Sequence, residues 1–350
     1  MVSSFIRRVF QFSYTNTRRP KRKVLAVTAL LLTGLWLLWN MLPQNCERVV
    51  PDLLPVSQSV VNISKFIIPA KEICSKTNPF LLIFVASAVN HVEERSAIRA
   101  TWGSISRTQV WADGTPLTDI VKVIFVFGVN HDSGSQDVVT QESQKYGDVV
   151  QAEFRDTYRN LTIKTTAAIK WVSTYCSSAK FVLKADDDVF LHIPNWVAAL
   201  KTIHDDRFFL GYRMCENKVY RSGSNGISES VYPYDVFPVH NSGPFYAFPA
   251  RMAGELLVLA EHMPYFVIED AFFTGVLRQI LKAKIPDKGE LFCFSLTWCN
   301  FALGDKAGAM GVTHSNMYEL WGHFQGKKSR FDEIFLNLKL SLEHFFFNKM

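Results

Sequence analysis

Residues 181–190 constrain the fold most, because a short apolar run there ends in three adjacent carboxylates, Asp186, Asp187 and Asp188. Such a run predicts a buried strand whose carboxyl end lies at the edge of a parallel sheet, where ligands bind in open α/β folds. In an extended chain Asp186 and Asp188 point to one side and Asp187 to the other. Two carboxylates on one side of a cleft repel each other unless a cation lies between them. An ordinary acidic turn or helix N-cap is the alternative interpretation.

Two further apolar runs, at residues 80–89 and 120–129, have the continuous hydrophobic character of strands buried on both faces. Residues 213–245 are rich in Gly, Ser, Pro and Tyr, which favours loops and short antiparallel strands. Because strands alternate with helical patterns, the sequence predicts an α/β protein with a mostly parallel central sheet. The helices are predicted at residues 92–102, 136–146, 161–176, 194–203, 250–261, 271–283 and 330–346.

The N-terminal part of the chain has a different character. Residues 1–23 carry seven basic side chains and no acid, and the next nineteen residues, 24–42, are almost uninterruptedly apolar. A helix of that length spans about 28 Å, close to the ~30 Å hydrocarbon core of a bilayer. The rival interpretation, a cleavable signal peptide, lacks small residues at a cleavage site. The sequence thus predicts a cytoplasmic tail at 1–23, a single-pass transmembrane helix at 24–42, a lumenal stem at 43–77 and a folded domain at 78–350.

The net charge of +6 comes from this tail. Without its seven basic residues, 31 basic side chains face 32 acidic ones, so no nucleic-acid-binding surface is indicated. All six cysteines follow the apolar segment, where the predicted compartment allows disulfides, and fifteen pairings are possible. Two sequons, at Asn62 and Asn160, are candidate glycosylation sites. The sequence makes no prediction of the oligomeric state.

Outside the triplet, Glu269 and Asp270 place two carboxylates inside a strongly apolar segment. Such charges are costly unless they are paired or functional, although a helix N-terminus also attracts acids. His314 is one of nine histidines, and it becomes a candidate ligand only beside a metal such as manganese. The sequence contains no dinucleotide-binding, P-loop or zinc-protease motif, so it gives no support to those functions.

Four segments, taken in order, resemble the motifs of the inverting β1,3-glycosyltransferases of the family 31 type, which include galactosyl- and N-acetylglucosaminyltransferases. They are R-x-x-I-R-x-T-W-G at 95–103, D-x-Y-x-N-L-T-x-K-T at 156–165, the D-x-D region at 184–190 and E-D…G at 269–275. Two segments depart from the family pattern. Residues 237–243 stand where the family usually has Y-P-x-Y-x-x-G, with His240 in place of the second tyrosine. Ala271 replaces the usual valine after Glu-Asp, and Gly275 comes one residue later than in many members.

The resemblance implies a GT-A-like catalytic domain in a Golgi type II membrane enzyme. The implied reaction transfers a hexose from a UDP-sugar to the 3-hydroxyl of an acceptor glycan on protein or lipid, with inversion. Galactose is the first candidate for the transferred hexose. The implied residues are Asp270 as base, Asp188, Asp186 and His314 as Mn²⁺ ligands, and Arg95, Arg99, Lys184, Asp186 and Asp187 on the nucleotide side. Transfer of N-acetylglucosamine or N-acetylgalactosamine and a catalytically silent glycan-binding homologue are the alternatives.

Overall fold

The computed structural model of the protein describes residue 61 and residues 63–130, 134–215, 217–293 and 304–327. The predicted tail at 1–23, the apolar segment at 24–42, the start of the stem, Asn62 and the helix at 330–346 lie outside the described residues. Within the described part of the chain, no helix is long and apolar enough to cross a bilayer.

A seven-stranded sheet forms the centre of the fold, with strand order β1-β4-β3-β2-β5-β8-β7. A second sheet has the order β6-β10-β9. The middle strands β4, β3, β2 and β5 are mutually parallel, whereas β1, β8 and β7 pair antiparallel with their neighbours. The strands are β1 Phe66–Ile68, β2 Leu81–Ala86, β3 Val121–Val129, β4 Val149–Arg155, β5 Phe181–Asp186, β6 Phe190–Leu191, β7 Leu210–Met214, β8 His240–Pro249, β9 Phe292–Cys293 and β10 Gly308–Ala309.

Helices cover both faces of the large sheet, so its central strands are buried on both sides. In β2, Leu81 and Ile83 pack into one core, while Leu82 and Phe84 pack into the other. The helices are α1 Glu72–Ser75, α2 Val92–Ala100, α3 Ile105–Thr108, α4 Ser135–Tyr146, α5 Leu161–Tyr175, α6 Ile193–Lys201, α7 Ala253–His262, a π-helix at Ala271–Leu277, α8 Arg278–Ile280 and α9 His314–Phe324.

The predicted α/β class is confirmed, and the predicted parallel arrangement holds for the four central strands of a mixed sheet. Sequence patterns did not reveal β4 or the full length of β8. Residues 149–155 mix apolar and polar side chains, and β8 contains Pro244, Gly243 and His240, which weaken a strand pattern. Pairing with neighbouring strands, rather than local propensity, places both segments in the sheet.

The folded domain begins earlier than the predicted boundary at residue 78. Strand β1 pairs antiparallel with β4, with Phe66 opposite Ala152. A disulfide between Cys74 and Cys176 then ties α1 to the end of α5. The predicted stem at 43–77 is therefore too long, because a three-residue strand and a one-turn helix leave no periodic signal in the sequence.

Candidate active site

The acidic triplet lies at the carboxyl edge of the parallel strands, as the sequence predicted. Asp186 is the last residue of β5 and is opposite Ala86, the last residue of β2. Asp187 is buried, and its Oδ2 accepts a hydrogen bond from Ser87 Oγ at 2.6 Å. The side chain of Asp188 is exposed, while its backbone carbonyl accepts from the Val312 N–H at 2.6 Å. The three carboxylates thus have three different environments.

Burial and neighbouring charges raise the pKa values of two carboxylates at this edge. Burial raises the pKa of Asp186 to about 6, because the nearby Lys184 only partly offsets the lost hydration and the charges of Asp188 and Asp187 add to it. Partial loss of hydration and the charge of Asp187 likewise raise the pKa of Asp188. Carboxylates in this condition are stabilised by an added cation.

Lys184 connects the triplet to the second acidic pair. Its side chain is fully buried, and Nζ donates to Asp186 Oδ1 and to the Gly243 carbonyl, both at 2.5 Å. The same Nζ lies 3.9 Å from Glu269 Oε2. Burial would lower the pKa of Lys184, but the charges of Asp186 and Glu269 raise it above its ordinary value. The lysine therefore remains charged beneath the site.

Glu269 is a buried carboxylate with incomplete hydrogen bonding. The Tyr246 hydroxyl donates to its Oε1, whereas Oε2 has no hydrogen-bond partner among the described residues. Burial raises the pKa of Glu269 to about 7, with Lys184 opposing this rise and the charge of Asp270 adding to it. Burying such a group costs folding free energy. Groups of this kind are concentrated at functional sites.

Asp270 directly precedes the π-helix, which packs against β8. Its Oδ1 accepts from the Ala271 N–H at 2.8 Å, and a Cβ added to Gly243 would lie 3.2 Å from its Oδ2. A side chain at residue 243 would press against this carboxylate, so the glycine eases the close passage of β8. Because the carbonyl of Gly243 also accepts from Lys184, Asp186 and Asp270 are connected through two residues.

The π-helix after Asp270 has its own anchor in Thr274. Thr274 Oγ1 donates to the Asp270 carbonyl at 2.7 Å and accepts from the Asn241 N–H at 2.8 Å. A π-turn holds one residue more than an α-turn. The wider turn that contains Gly275 thus begins directly after the candidate base.

A pocket of ≈ 260 Å³ opens beside Asp270. Its lining combines aromatic, amide, basic and acidic side chains: Asn217, Lys218, Tyr220, Asn225, Phe237, His240, Ile268 and Asp270. His240, the residue that departs from the family tyrosine, is thus next to the candidate base.

His314 lies at the start of α9, and its half-exposed ring is 4.0 Å from Glu93 Oε2. The contact between Val312 and the backbone of Asp188 brings this segment alongside the triplet. Among the described residues, no group of three or more His, Cys, Asp or Glu side chains is close enough together to hold a metal. The structure therefore brings Asp186 and Asp188 together with Lys184 but does not bring His314 into a ready-made three-ligand site.

Arg95 and Arg99, which are expected on the nucleotide side, lie in a buried ion cluster. All five N–H donors of Arg95 are used, by both oxygens of Glu142, by Ser87 Oγ and by the carbonyls of Ala88 and Val89. Arg99 pairs with Glu142 and Asp148 at 2.6–2.8 Å. In this arrangement Arg95 has no donor left for a nucleotide, and it supports the site only through Ser87 and Asp187.

Contacts also reveal site residues that sequence patterns missed. Ser87 and His91 hold Asp187, with His91 Nδ1 at 2.8 Å from its Oδ2, and Tyr246 holds Glu269. Gly243 lies within a family segment, which is a usable signal. The others are single residues in unrelated elements, so only the folded chain shows their role.

Asn160, the second candidate glycosylation site, uses its side-chain amide within the fold. Its Nδ2 donates to the Arg155 carbonyl at 2.8 Å, and the sequon's Thr162 is buried and donates to the Phe266 carbonyl at 2.6 Å. These contacts give the Asn-Leu-Thr segment a packing role. Its glycosylation stays a prediction.

Comparisons with known proteins agree with the motifs. A family model described as galactosyltransferase matches residues 93–288, which include the triplet and Asp270. UDP-GalNAc:beta-1,3-N-acetylgalactosaminyltransferase 1 of Rattus norvegicus is 35% identical over 229 residues, 63% of this chain and 66% of that protein, just under two thirds of its length. Beta-1,3-galactosyltransferase 5 of Gorilla gorilla gorilla is 32% identical over 271 residues, 77% of this chain and 86% of that protein.

Among solved structures, the galactosyltransferase LgtC in complex with donor and acceptor sugar analogs aligns with 69% of this chain and 95% of its own. The TM-score is 0.33 at 13% identity, a likeness too weak to support any argument. The sequence matches are stronger. Because the family model spans more than half of the chain and the gorilla relative is matched over most of its length, the chain belongs to the galactosyltransferase family of glycosyltransferases.

Proposed function

We propose that this chain transfers a hexose from a UDP-sugar to the 3-hydroxyl of an acceptor glycan, with inversion, to give a β1,3 linkage. The observation that carries this proposal is the connection of the two acidic pairs through Lys184 and Gly243. An inverting transfer needs a base for the acceptor hydroxyl and stabilisation of the leaving diphosphate. Asp270 supplies the first, and the edge around Asp186 and Asp188 supplies the second.

Asp270 is the base in this scheme. Its Oδ1 is held by the Ala271 N–H, so Oδ2 is the oxygen that takes the proton from the acceptor hydroxyl. As that proton leaves, the acceptor oxygen forms a bond to the anomeric carbon of the donor sugar. The bond between this carbon and the diphosphate oxygen breaks, and UDP departs with the electron pair.

The residues at the triplet fit a divalent cation that binds together with the nucleotide. The Asp188 side chain reaches the surface, and its pKa is raised by partial loss of hydration and by the charge of Asp187, which is the condition of a carboxylate that gains from a cation. Small divalent ions are commonly held by one or two carboxylates plus substrate phosphates. Asp188 and Asp186 would hold the ion, with His314 as a further predicted ligand and Mn²⁺ as the expected metal. When bound, the ion supplies Lewis-acid stabilisation of the leaving diphosphate.

Galactose is the proposed sugar, and N-acetylgalactosamine is the second candidate. The gorilla relative is named as a galactosyltransferase, and the rat relative as an N-acetylgalactosaminyltransferase. N-acetylglucosamine transfer stays a further alternative from the motifs. The acceptor is a glycan on a glycoprotein or a glycolipid.

The proposed location is the Golgi membrane, with a single N-terminal anchor and the folded domain in the lumen. The basic residues of 1–23 and the apolar run at 24–42 support this topology. The Cys74–Cys176 disulfide within the folded domain also agrees with an oxidising compartment.

The test is turnover by the purified full-length chain with UDP-galactose, UDP-N-acetylgalactosamine and UDP-N-acetylglucosamine. Each donor is offered with a panel of glycan acceptors, with and without Mn²⁺. We expect Mn²⁺-dependent release of UDP that Asp188→Asn abolishes, while Asp287→Asn, in an exposed loop after α8, leaves it unchanged. Glycan binding without turnover of any donor would instead favour the silent glycan-binding homologue.

A further inference from the structure

The pocket beside Asp270 has the composition of a sugar-binding site. Phe237 and Tyr220 contribute aromatic side chains, and Asn217 and Asn225 contribute amides. Ligand pockets commonly combine apolar faces with a few placed polar groups that fix orientation. Because Asp270 is the proposed base, a sugar in this pocket would present its attacking hydroxyl to that carboxylate.

His240 has one tautomer in this pocket because both ring nitrogens have defined partners. The ring is only 2% exposed, and Nδ1 lies 2.8 Å from the Pro238 carbonyl oxygen. A carbonyl only accepts, so Nδ1 carries the hydrogen. Nε2 lies 3.3 Å from Asn217 Nδ2, which only donates, so Nε2 carries the lone pair.

The histidine in turn orients the amide of Asn217. With Nδ2 directed at His240, Oδ1 remains as the accepting atom, and the described part of the structure shows no partner for it. The Asn217 backbone is also held, because its carbonyl accepts from the Phe237 N–H at 2.9 Å. Asn217 Oδ1 is thus a fixed hydrogen-bond acceptor in the lining of the pocket that also includes Asp270.

We propose that Asn217 Oδ1, held by His240, accepts a hydrogen bond from the group next to the attacked hydroxyl of the acceptor sugar. That group is a hydroxyl or the N–H of an acetamido substituent, both of which offer one polar hydrogen. This inference rests on the proposed function. A tyrosine, which the family usually has at this position, can both donate and accept and would not fix the amide. His240 is thus a specificity-determining residue of this chain, acting through Asn217.

The test is a cycle of protein variant against acceptor analogue, measured with the full-length chain. The probes are the p-nitrophenyl β-glycosides of galactose and N-acetylglucosamine and their 2-deoxy and 4-deoxy analogues. For wild type we expect one deoxy analogue to lose about fivefold to tenfold in kcat/KM, the size of one neutral hydrogen bond. Asn217→Ala should lose a similar factor on the parent glycoside and nothing more on that analogue, with the donor KM unchanged.

Two further variants complete the design. His240→Phe releases the amide and should weaken the same discrimination; if burial makes this variant unstable, the half-buried Asn217 still carries the test. Gln144→Ala removes an exposed amide on α4 and should discriminate as wild type does. Equal discrimination by wild type and Asn217→Ala overturns the inference alone. No turnover by wild type of these glycosides or of any acceptor in the panel described above overturns the proposed function along with it.

Discussion

In the described part of the chain, the ion cluster around Arg95 and the site cluster around Lys184 are both buried, and their charges are balanced differently. In the ion cluster, Arg95 and Arg99 face Glu142 and Asp148, and each ion pair is 2.6–2.8 Å long. In the site cluster, the single ammonium of Lys184 lies among the carboxylates of Asp186, Glu269 and Asp270. The first group is matched in charge, and the second has an excess of acid.

The difference is visible in two glutamates. Burial alone would raise the pKa of Glu142, but hydrogen bonds and charges from Arg95 and Arg99 outweigh it and lower that pKa. Glu269 is also buried, yet its pKa is raised to about 7 because Lys184 does not offset the loss of hydration. Removing one partner from a matched buried ion pair destabilises the fold, whereas a buried carboxylate without matching charge is a candidate for a functional role.

The largest expected effect is a loss of activity when a residue of the site cluster is replaced. Replacing Asp270 by Asn removes the proposed base and should reduce kcat by about 10²- to 10⁴-fold. The melting temperature should change little, because the amide oxygen can still accept from the Ala271 N–H. Steady-state kinetics and thermal melting of the same preparation measure both quantities. A variant that retains wild-type kcat would remove Asp270 from the role of base.

The opposite pattern is expected for the ion cluster. Glu142→Gln leaves two buried guanidinium groups short of a counter-ion and should lower the free energy of unfolding by about 3 kcal/mol. Turnover per folded molecule should stay within about twofold, because the cluster reaches the triplet only through Ser87 and Asp187. Urea unfolding and active-site-normalised rates test this, with Gln144→Ala on the same helix as the matched control. A loss of kcat without a loss of stability would contradict the structural role.

A smaller effect is expected for Thr274, which joins the backbone of Asp270 to that of Asn241. Thr274→Val keeps the shape and removes the hydrogen bonds of the hydroxyl, so kcat should fall about tenfold as the base loses its alignment. Thr274→Ser should restore most of the rate. The acceptor KM should move less than kcat. Equal kcat values for the valine and serine variants would show that the hydroxyl does not position Asp270.

The smallest effect is a pH dependence of stability. The pKa of Glu142 in the folded protein lies below its ordinary 4.5. Its stabilising contribution is therefore complete above about pH 4.5 and is lost as the pH falls through the lower folded value. The difference in melting temperature between wild type and Glu142→Gln should be constant from pH 7 to about 5 and should narrow in more acidic buffer. A difference that widens on acidification would show that Glu142 is not an ionised partner.

Much of the fold could be predicted because burial on both faces leaves a local signal. The runs at 80–89, 120–129 and 181–190 became β2, β3 and β5, and the acidic end of β5 lies at the predicted sheet edge. The resemblance to the β1,3-glycosyltransferases also came from short ordered motifs, and the family match confirms it. Arg95 shows the limit of such motifs. In the sequence, an arginine that binds a nucleotide looks the same as one that pairs with a buried glutamate, and Arg95 pairs with Glu142.

The sequence by itself determined the α/β class, the acidic strand end and the family. Only the tertiary structure decided which charged residues share a site. Lys184 and Glu269 are 85 positions apart, and Asn217 and His240 are 23 positions apart, yet each pair is in contact. Strand order sets these contacts: β8 runs antiparallel beside β5 and brings Gly243 against Lys184 and Asp270. Periodicity records whether a residue is buried, and it carries no record of the distant residue that it will meet.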